Sequence, residues 1–243
     1  MLLSSFVATP LIKNVASATL WVNVKDQTYN PGPPKTNANV SVNTGTSTEA
    51  SLAIDSLGRP HIAWTDNTGT DPVATDIFYA WWNGTNWVNA QGATYNVSNA
   101  NVSKTRLASI NPSLQLDSND MPHIVWVDVT WGSNYEPAYV HWDPVDRQWE
   151  QDNNSSYGAT GNCRISPPGQ INYYDPCLKL DSNNLPHVSM TMDDKGDREI
   201  IYARLTTAGT TDWVSHRGVS WSGGGGMTAV IVSQTPGKDS EFS

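Results

Sequence analysis

The sequence predicts an all-β fold in which a four-stranded antiparallel unit is repeated about four times. A signature, Asp-Ser followed by three variable residues and Pro-His, begins at Asp55, Asp117 and Asp181, at intervals of 62 and 64 residues. A second series has intervals of 66, 62 and 64 residues and consists of Trp21, Trp87, Trp149 and Trp213. No stretch of about 10–15 residues has a sustained apolar period of 3.6, so few helices are expected. Together these patterns predict a β-propeller, whose blades are four-stranded sheets.

Within each repeat the pattern predicts four strands, A to D, in chain order. Strand A alternates apolar and polar residues up to the signature Asp, over residues 51–55, 113–117 and 178–181. A short polar turn containing proline follows, and strand B covers residues 61–66 and 123–128. Strand C covers residues 77–82, 138–142 and 200–205, and strand D contains the Trp of the second series. The recurring Trp residues are expected to fill the core between blades.

The repeat boundaries predict one propeller domain over residues 1–236. Residues 1–48 supply part of a blade, and three further blades cover residues 49–95, 111–157 and 175–221. Residues 227–233 resemble a new strand A, and residues 237–243 are a tail. Two interpretations are open: the last strand closes a four-bladed ring, or the chain is a segment of a larger ring. In the second case the open blade edges are expected to meet between molecules, most simply as a homodimer.

Charge and composition exclude some partners and favour one location. The formal net charge is −9 and no basic patch is present, which argues against nucleic acid as a ligand. No apolar run approaches the 18 or so residues that span a bilayer, so membrane insertion is not expected. The chain is polar but has only 15% charged residues, and Asn-X-Ser/Thr sequons begin at Asn39, Asn83, Asn96, Asn101, Asn153 and Asn154. These features favour an extracellular or cell-surface protein.

Two cysteines, Cys163 and Cys177, are predicted to lie in one connection between blades. A disulfide between them would cross-link that long loop, and the extracellular features favour it. The alternative is two free or buried thiols.

The signature pairs an Asp with a His across each A–B turn. The three pairs are Asp55 with His61, Asp117 with His123, and Asp181 with His187. We expect an Asp–His hydrogen bond to fix each hairpin, because a pair that recurs in every blade is better explained by folding than by catalysis. The three His side chains are also expected to be too far apart to share one metal ion.

Ligand binding is expected in the B–C and D–A loops, which vary between repeats, whereas the A–B turns are short and regular. Aromatic residues that break the repeat lie in these loops and are candidate ligand contacts: Trp131, Tyr135, Tyr173 and Tyr174. Their alternative role is to cover the ends of the blades. The same loops gather candidate Ca²⁺ ligands, namely Asp66, Asp128, Asp193 and Asp194, although solvated loop acids are the alternative. No other cofactor is indicated.

The signature Leu-X-Leu/Ile-Asp-Ser-X-X-X-Pro-His-Ile/Val resembles the blade repeats of bacterial and archaeal extracellular β-propellers of the sialidase-like (BNR, Asp-box) type. A more distant likeness is to the repeats of integrin-α propellers. The resemblance implies the propeller fold but no particular activity. The variable loops favour a binding or adhesion module that is not catalytic, with a glycan or a protein as ligand and a glycan preferred. None of the seven Arg residues lies in a sialidase motif. A fragment of a carbohydrate-active enzyme, sialidase-like or polysaccharide-lyase-like, and a structural assembly module are the alternatives.

Overall fold

A computed structural model of the chain describes Lys25 and residues 39–68, 74–105, 107–129, 134–157, 163–166, 171–194 and 196–215. Apart from Lys25 and Asn39, these residues belong to one compact unit that begins at Val40. They contain three four-stranded antiparallel sheets, which follow one another along the chain and which we call blades 1, 2 and 3. This confirms the predicted all-β propeller class. The predicted closing strand, the tail and most of the partial blade at residues 1–48 lie outside the described residues.

The strands of each blade pair in chain order, so that strand A lies at one edge and strand D at the other. Blade 1 consists of β1 (Ser47–Ile54), β2 (Pro60–Asp66), β3 (Asp76–Trp82) and β4 (Trp87–Val88). A single short helix, α1 (Val97–Ala100), follows among the described residues. Blade 2 consists of β5 (Ser109–Leu116), β6 (Pro122–Asp128), β7 (Glu136–Asp143) and β8 (Gln148–Glu150). Blade 3 consists of β9 (Asn172–Leu180), β10 (Pro186–Asp194), β11 (Asp197–Leu205) and β12 (Trp213–Val214).

The signature Asp shapes the A–B turn in every blade. In blade 1, Oδ1 of Asp55 accepts hydrogen bonds from the backbone N–H groups of Leu57 (3.0 Å) and Arg59 (2.7 Å). Asp117 and Asp181 make the same two contacts in blades 2 and 3. A short acceptor side chain that bonds to the backbone two residues later is the usual reason for Asp in a turn. The signature Asp is therefore explained by turn formation.

Strand A also carries a repeated irregularity. The register with strand B shifts once in each blade, and the residue at the shift has a positive φ: Glu49 (55°), Asn111 (54°) and Asp175 (51°). These positions follow the 62- and 64-residue intervals of the signature. A bulge of this kind bends and twists the strand locally. The three blades therefore share the same distorted strand A.

The core lies between consecutive blades. At the first boundary, Ala63, Ile77 and Tyr79 of blade 1 pack with Leu114 and Ile124 of blade 2. At the second boundary, residues of blades 2 and 3 form an equivalent cluster that includes Val125, Tyr139, Leu178, Val188 and Trp213. Burying one such aliphatic side chain contributes about 1.5–3 kcal/mol. Blade 2 is thus held by apolar contacts on both of its faces.

The recurring Trp residues reach across these boundaries. The Trp149 ring of blade 2 meets Tyr79 of blade 1 edge to face, with 5.6 Å between centroids. Trp213 of blade 3 makes the same contact with Tyr139 of blade 2, at 5.7 Å. The aromatic edge-to-face geometry adds to the apolar burial. In the described part of the chain, no helix is long and apolar enough to cross a membrane.

Candidate binding cleft

The four aromatic residues predicted to contact a ligand differ in burial and in position. Trp131 lies outside the described residues. Tyr173 is buried in the core between blades 2 and 3, which corrects its predicted exposure to a ligand. Tyr135 and Tyr174 are half-buried and contact each other, with 5.3 Å between ring centroids. The guanidinium of Arg198 lies 5.6 Å above the Tyr174 ring. These three side chains form a small surface patch, which we call the tyrosine patch.

Two of the candidate Ca²⁺ ligands, Asp66 and Asp128, have structural roles instead. Both are fully buried, and each accepts hydrogen bonds from the Ser at the start of strand A and from the indole N–H of the Trp two residues before it. Asp66 also accepts from Asn43 (2.7 Å) and from Thr68. Burial raises the pKa of Asp66, but hydrogen bonds from Thr68, Trp64 and Ser47 outweigh it and lower the pKa overall. These carboxylates are already saturated by protein donors.

The other two candidate ligands do not join them. Asp193 accepts from Nε of Arg198 (2.8 Å) and from the N–H of Gly196 (2.7 Å), and the Arg198 hydrogen bond lowers its pKa. Among the described residues, the acidic group whose oxygens lie within 4.8 Å of one another is Asp143, Asp146 and Glu150. The predicted set of Asp66, Asp128, Asp193 and Asp194 is therefore corrected, because the fold does not bring these four side chains together.

The predicted disulfide is also corrected. Both cysteines are free thiols, Cys163 buried and Cys177 exposed. Cys177 lies within β9 and pairs with Ser189 of β10, so it is not in the connection between blades. The backbone of Cys163 accepts a hydrogen bond from Tyr139 in β7, and its side chain packs in the core between blades 1 and 2. The two side chains therefore belong to different environments.

The signature His residues pair with tyrosines rather than with their Asp neighbours. Nδ1 lies 2.6 Å from a tyrosine hydroxyl in all three blades, in the pairs His61–Tyr79, His123–Tyr139 and His187–Tyr202. The nearest Asp oxygens lie 3.6 Å from Nε2 of His61 and 3.8 Å from Nε2 of His187. Those distances exceed a hydrogen bond. The expected Asp–His bond is thus replaced by a His–Tyr bond across strands B and C.

A cleft of about 340 Å³ lies between blades 1 and 2. Blade 1 supplies residues from its A–B turn, β2, β3 and the segment after β4. Blade 2 supplies its A–B and C–D turns and adjoining residues of β6 and β7. We call this site the blade 1–2 cleft, and its main polar and aromatic lining is Arg59, His61, Trp81, Gln91, Asn119, Asp120, Trp142 and Arg147. The regular A–B turns therefore contribute to the cleft, although the sequence favoured the B–C and D–A loops.

His61 lies in the wall of the cleft and has an unsatisfied polar atom. The residue is only 4% exposed, and its Nε2, itself shielded from solvent, has no hydrogen-bond partner among the described residues. Burial lowers the pKa of His61, and the nearby Asp55 carboxylate opposes that effect only in part. Burial also raises the pKa of Tyr79, so its hydroxyl stays protonated and remains bonded to Nδ1. The wall of the cleft thus holds a buried, neutral imidazole whose Nε2 faces Oδ2 of Asp55 at 3.6 Å.

The side chains around His61 are held rigidly. The His61 ring stacks on Trp81 with 5.4 Å between centroids and 19° between planes. The guanidinium of Arg59 lies 4.8 Å from the centre of the Trp81 ring. Nε of Arg59 donates to Oδ2 of Asp55 at 2.6 Å, and the indole N–H of Trp81 donates to the Asn89 carbonyl at 3.0 Å. A ligand therefore meets a preformed surface on the blade 1 side.

Arg147 closes the blade 2 side of the cleft. It is exposed, has a φ of 56° in the C–D turn, and donates to the carbonyl of Gln91 in blade 1 at 3.3 Å. In the part of the chain that the structure describes, no carboxylate lies within ion-pair distance of this guanidinium. Its guanidinium thus keeps donors that a ligand can use.

The cleft is chemically specific to the first blade boundary. The positions of the repeat that hold Arg59 and Trp81 in blade 1 are occupied by Met121 and His141 in blade 2. No sequence motif marks this combination, because its residues come from two blades and several turns. The available signal was the change of residue type at position 81 within an otherwise regular repeat.

Comparisons with known proteins give no family. No family model matches the chain, and no curated protein matches it. Among solved structures, a fucose lectin from Kordia zhangzhouensis has a TM-score of 0.38 and 16% identity, over 68% of this chain and 96% of the lectin. A family 117 glycoside hydrolase from Zobellia galactanivorans has a TM-score of 0.47 and 15% identity, over 79% of this chain and 61% of the hydrolase. A Dyadobacter fermentans protein of unknown function has a TM-score of 0.48 and 10% identity, over 77% of this chain and 54% of that protein. This chain thus spans less than two thirds of the latter two proteins, and at these scores the similarities assign neither a family nor an activity.

Proposed function

We propose that this protein is a carbohydrate-binding β-propeller and that the blade 1–2 cleft holds the sugar. The observation that carries the proposal is the exposed Arg147 guanidinium on one side of that cleft and the Trp81 ring, stacked on His61, on the other. A hydroxyl oxygen of a ligand would accept a hydrogen bond from the Arg147 guanidinium, which has five N–H donors.

The remaining lining fits the same chemistry. A sugar ring combines apolar C–H faces with hydroxyl groups that both donate and accept. The apolar part of the cleft comes from Trp81 and Trp142, and the amides of Gln91 and Asn119 add donors and acceptors. The volume of about 340 Å³ falls within the usual range for small-ligand sites. A ligand of one or two sugar rings is therefore the size we propose.

The proposed activity is binding without turnover, and the engagement of the carboxylates around the cleft supports it. A glycosidase of the common type needs two facing carboxyl groups about 5–10 Å apart. In the described cleft, Asp120 is engaged by the backbone N–H and the hydroxyl of Ser56. Asp55 beside the cleft is engaged by Arg59 and by two backbone N–H groups. Neither carboxylate is placed as a free acid or base toward the cleft. The proposal includes an extracellular or cell-surface location, which the sequons and the polar, weakly charged chain support.

A glycan array followed by calorimetry with the best-binding glycan tests the proposal. Arg147→Ala removes an exposed cleft donor and is expected to weaken binding about tenfold, the loss typical of one hydrogen bond from a charged group. Arg198→Ala is the matched control, since it removes an exposed Arg from the tyrosine patch, and it should change the affinity less than about twofold. A reducing-end assay on the same glycan should show no cleavage. Absence of binding to any glycan, or loss of binding in Arg198→Ala but not in Arg147→Ala, would contradict the assignment.

A further inference from the structure

The two arginines of the blade 1–2 cleft are not part of the repeat. Arg59 lies in the A–B turn of blade 1, and Arg147 lies in the C–D turn of blade 2, two residues before the recurring Trp. At the boundary between blades 2 and 3 the equivalent positions hold the neutral residues Met121 and Thr211. That boundary forms its apolar core without these charges. Blade packing therefore does not explain the two cations.

The Arg147 guanidinium keeps its positive charge at the edge of the cleft. The side chain is exposed, and its polar contact among the described residues is the hydrogen bond of 3.3 Å from Nη2 to the carbonyl of Gln91. That carbonyl takes one of five N–H donors and carries no charge to neutralise the cation. An anionic group of a ligand would therefore find both donors and an opposite charge here.

The acids closest to Arg147 in sequence belong to the other face of blade 2. One carboxylate oxygen from each of Asp143, Asp146 and Glu150 lies within 4.8 Å of the other two. Asp143 and Glu150 directly follow Trp142 and Trp149, and successive side chains of a strand point to opposite faces. Trp142 lines the cleft and Trp149 contacts blade 1. The acidic group thus lies away from the cleft and does not balance its charge.

A smaller cavity of about 50 Å³ extends the positive surface. The residues that line both it and the cleft are Tyr79, Ala90, Gln91 and Trp142. The exposed Lys104 lines the smaller cavity, so the described lining of the two cavities holds three cations and one acid, Asp120. Both oxygens of Asp120 accept hydrogen bonds from Ser56. Even when Asp55, which pairs with Arg59 at 2.6 Å, is counted, positive charges outnumber negative ones at this surface of a chain with a net charge of −9.

We propose that the blade 1–2 cleft selects an acidic sugar, whose carboxylate or sulfate group binds the Arg147 guanidinium. The inference rests on the proposed function of the cleft. A guanidinium presents parallel N–H donors that match two oxygens of such an anion, and the charge makes these hydrogen bonds stronger than those to a hydroxyl. The ring of the same sugar would lie against Trp81, and Arg59 above that ring adds to the positive potential. A neutral sugar of the same shape would bind more weakly.

A glycan array that carries each acidic glycan beside its neutral counterpart tests the selection, with calorimetry on the best pair. The acidic glycan should bind about tenfold more tightly. Raising the NaCl concentration from about 50 to about 500 mM should weaken its binding about threefold and change that of the neutral glycan less than about twofold, because salt screens exposed charges. Loss of affinity on carboxyl reduction identifies a carboxylate as the recognised group, and loss on desulfation identifies a sulfate.

Arg147→Gln tests the residue, because it keeps a polar side chain and removes the charge. The affinities for the acidic and the neutral glycan should then differ less than about twofold. Arg198→Gln is the matched control, since it removes an exposed Arg from the tyrosine patch, and it should keep the preference of about tenfold. A preference that persists in Arg147→Gln would overturn the assignment. Equal binding of both glycans to the wild type would overturn the inference and leave carbohydrate binding in place, whereas absence of binding to either kind would overturn both.

Discussion

Asp120 of blade 2 receives two hydrogen bonds from Ser56 of blade 1, one from the backbone N–H (2.9 Å) and one from the hydroxyl (2.6 Å). Asn184 of blade 3 likewise accepts from the backbone N–H of Ser118 in blade 2 (3.0 Å), and its amide donates to the Ser118 hydroxyl (2.9 Å). Both acceptor residues have a positive φ in the A–B turn, and Gly58 occupies that position in blade 1. The Ser of the signature thus joins its blade to the next one.

This contact predicts a stability difference between two substitutions. Asp120→Ala should lower the free energy of unfolding by about 1–2 kcal/mol, because it removes both hydrogen bonds and places Ala at a φ of 64°. Asp120→Asn should retain most of the stability, because Asn184 serves the same role in blade 3. Urea unfolding measures both variants. Equal losses in the two would show that charge, and not the shared contact, matters at this position.

The His–Tyr pairs predict a second effect. Tyr139→Phe should cost about 1–3 kcal/mol, because it leaves Nδ1 of the buried His123 without a partner. Tyr202→Phe is the matched substitution in blade 3, where His187 is more exposed, and its cost should be smaller. Denaturant unfolding of the two variants gives the comparison. A larger cost for Tyr202→Phe would be incompatible with burial as the cause.

Buried histidines predict that stability falls as the pH is lowered. Burial lowers the pKa of His123 from 6.5 to about 3, so between these values only the unfolded chain binds the proton. The His123 contribution to the free energy of unfolding is complete above pH 6.5 and is lost as the pH falls toward 3. The loss reaches about 2 kcal/mol at pH 5. His61 and His141 act in the same direction, because burial lowers their pKa too. Glu136 and Asp152 act in the opposite direction, because burial raises their pKa.

His123→Gln isolates this effect from the other titrating groups. Urea unfolding at pH 7.5 and pH 5.0 should show a change in the free energy of unfolding that differs between wild type and variant by about 2 kcal/mol. The variant is expected to be the less pH-dependent of the two. An identical pH dependence in both proteins would mean that His123 is protonated in the folded state.

The thiols predict a clear difference in reactivity. Iodoacetamide should modify Cys177 in the native protein, since its side chain is exposed. Cys163 should react only after unfolding, because it is buried and burial raises the pKa of its thiol. Mass spectrometry of the alkylated protein measures both sites. A Cys163–Cys177 disulfide in unreduced protein would show that the fold around β9 differs from the one described.

The repeat in the sequence predicted the blades well, because hairpin signals are local. The intervals between the signature Asp residues located the A–B turns. The Trp series located the D strands, whose Trp149 and Trp213 side chains contact the preceding blade. Bond partners across the sheet were not predictable. His61 bonds to Tyr79, 18 residues away. Oδ1 of Asp55 instead accepts hydrogen bonds from backbone N–H groups of the turn. Local spacing suggested the shorter Asp–His pairing.

The candidate site was harder to predict, because the blade 1–2 cleft depends on side chains from two blades. Tyr173 was taken as exposed from its place near a variable loop, but it falls on the inward side of β9. Asp66 lies at the end of a strand as expected, yet its oxygens bond to the indole of Trp64 and to neighbouring hydroxyls. Loop acids and loop aromatics carry no local signal that separates these structural roles from binding.

A crystal structure with the best-binding glycan of the array tests the central claim most directly. We expect a sugar ring in the blade 1–2 cleft against the Trp81 ring, with a hydroxyl oxygen about 2.7–3.2 Å from a guanidinium nitrogen of Arg147. A sugar bound only at the tyrosine patch, against Tyr135 and Tyr174, would contradict it. So would an empty cleft in crystals soaked at saturating glycan concentration.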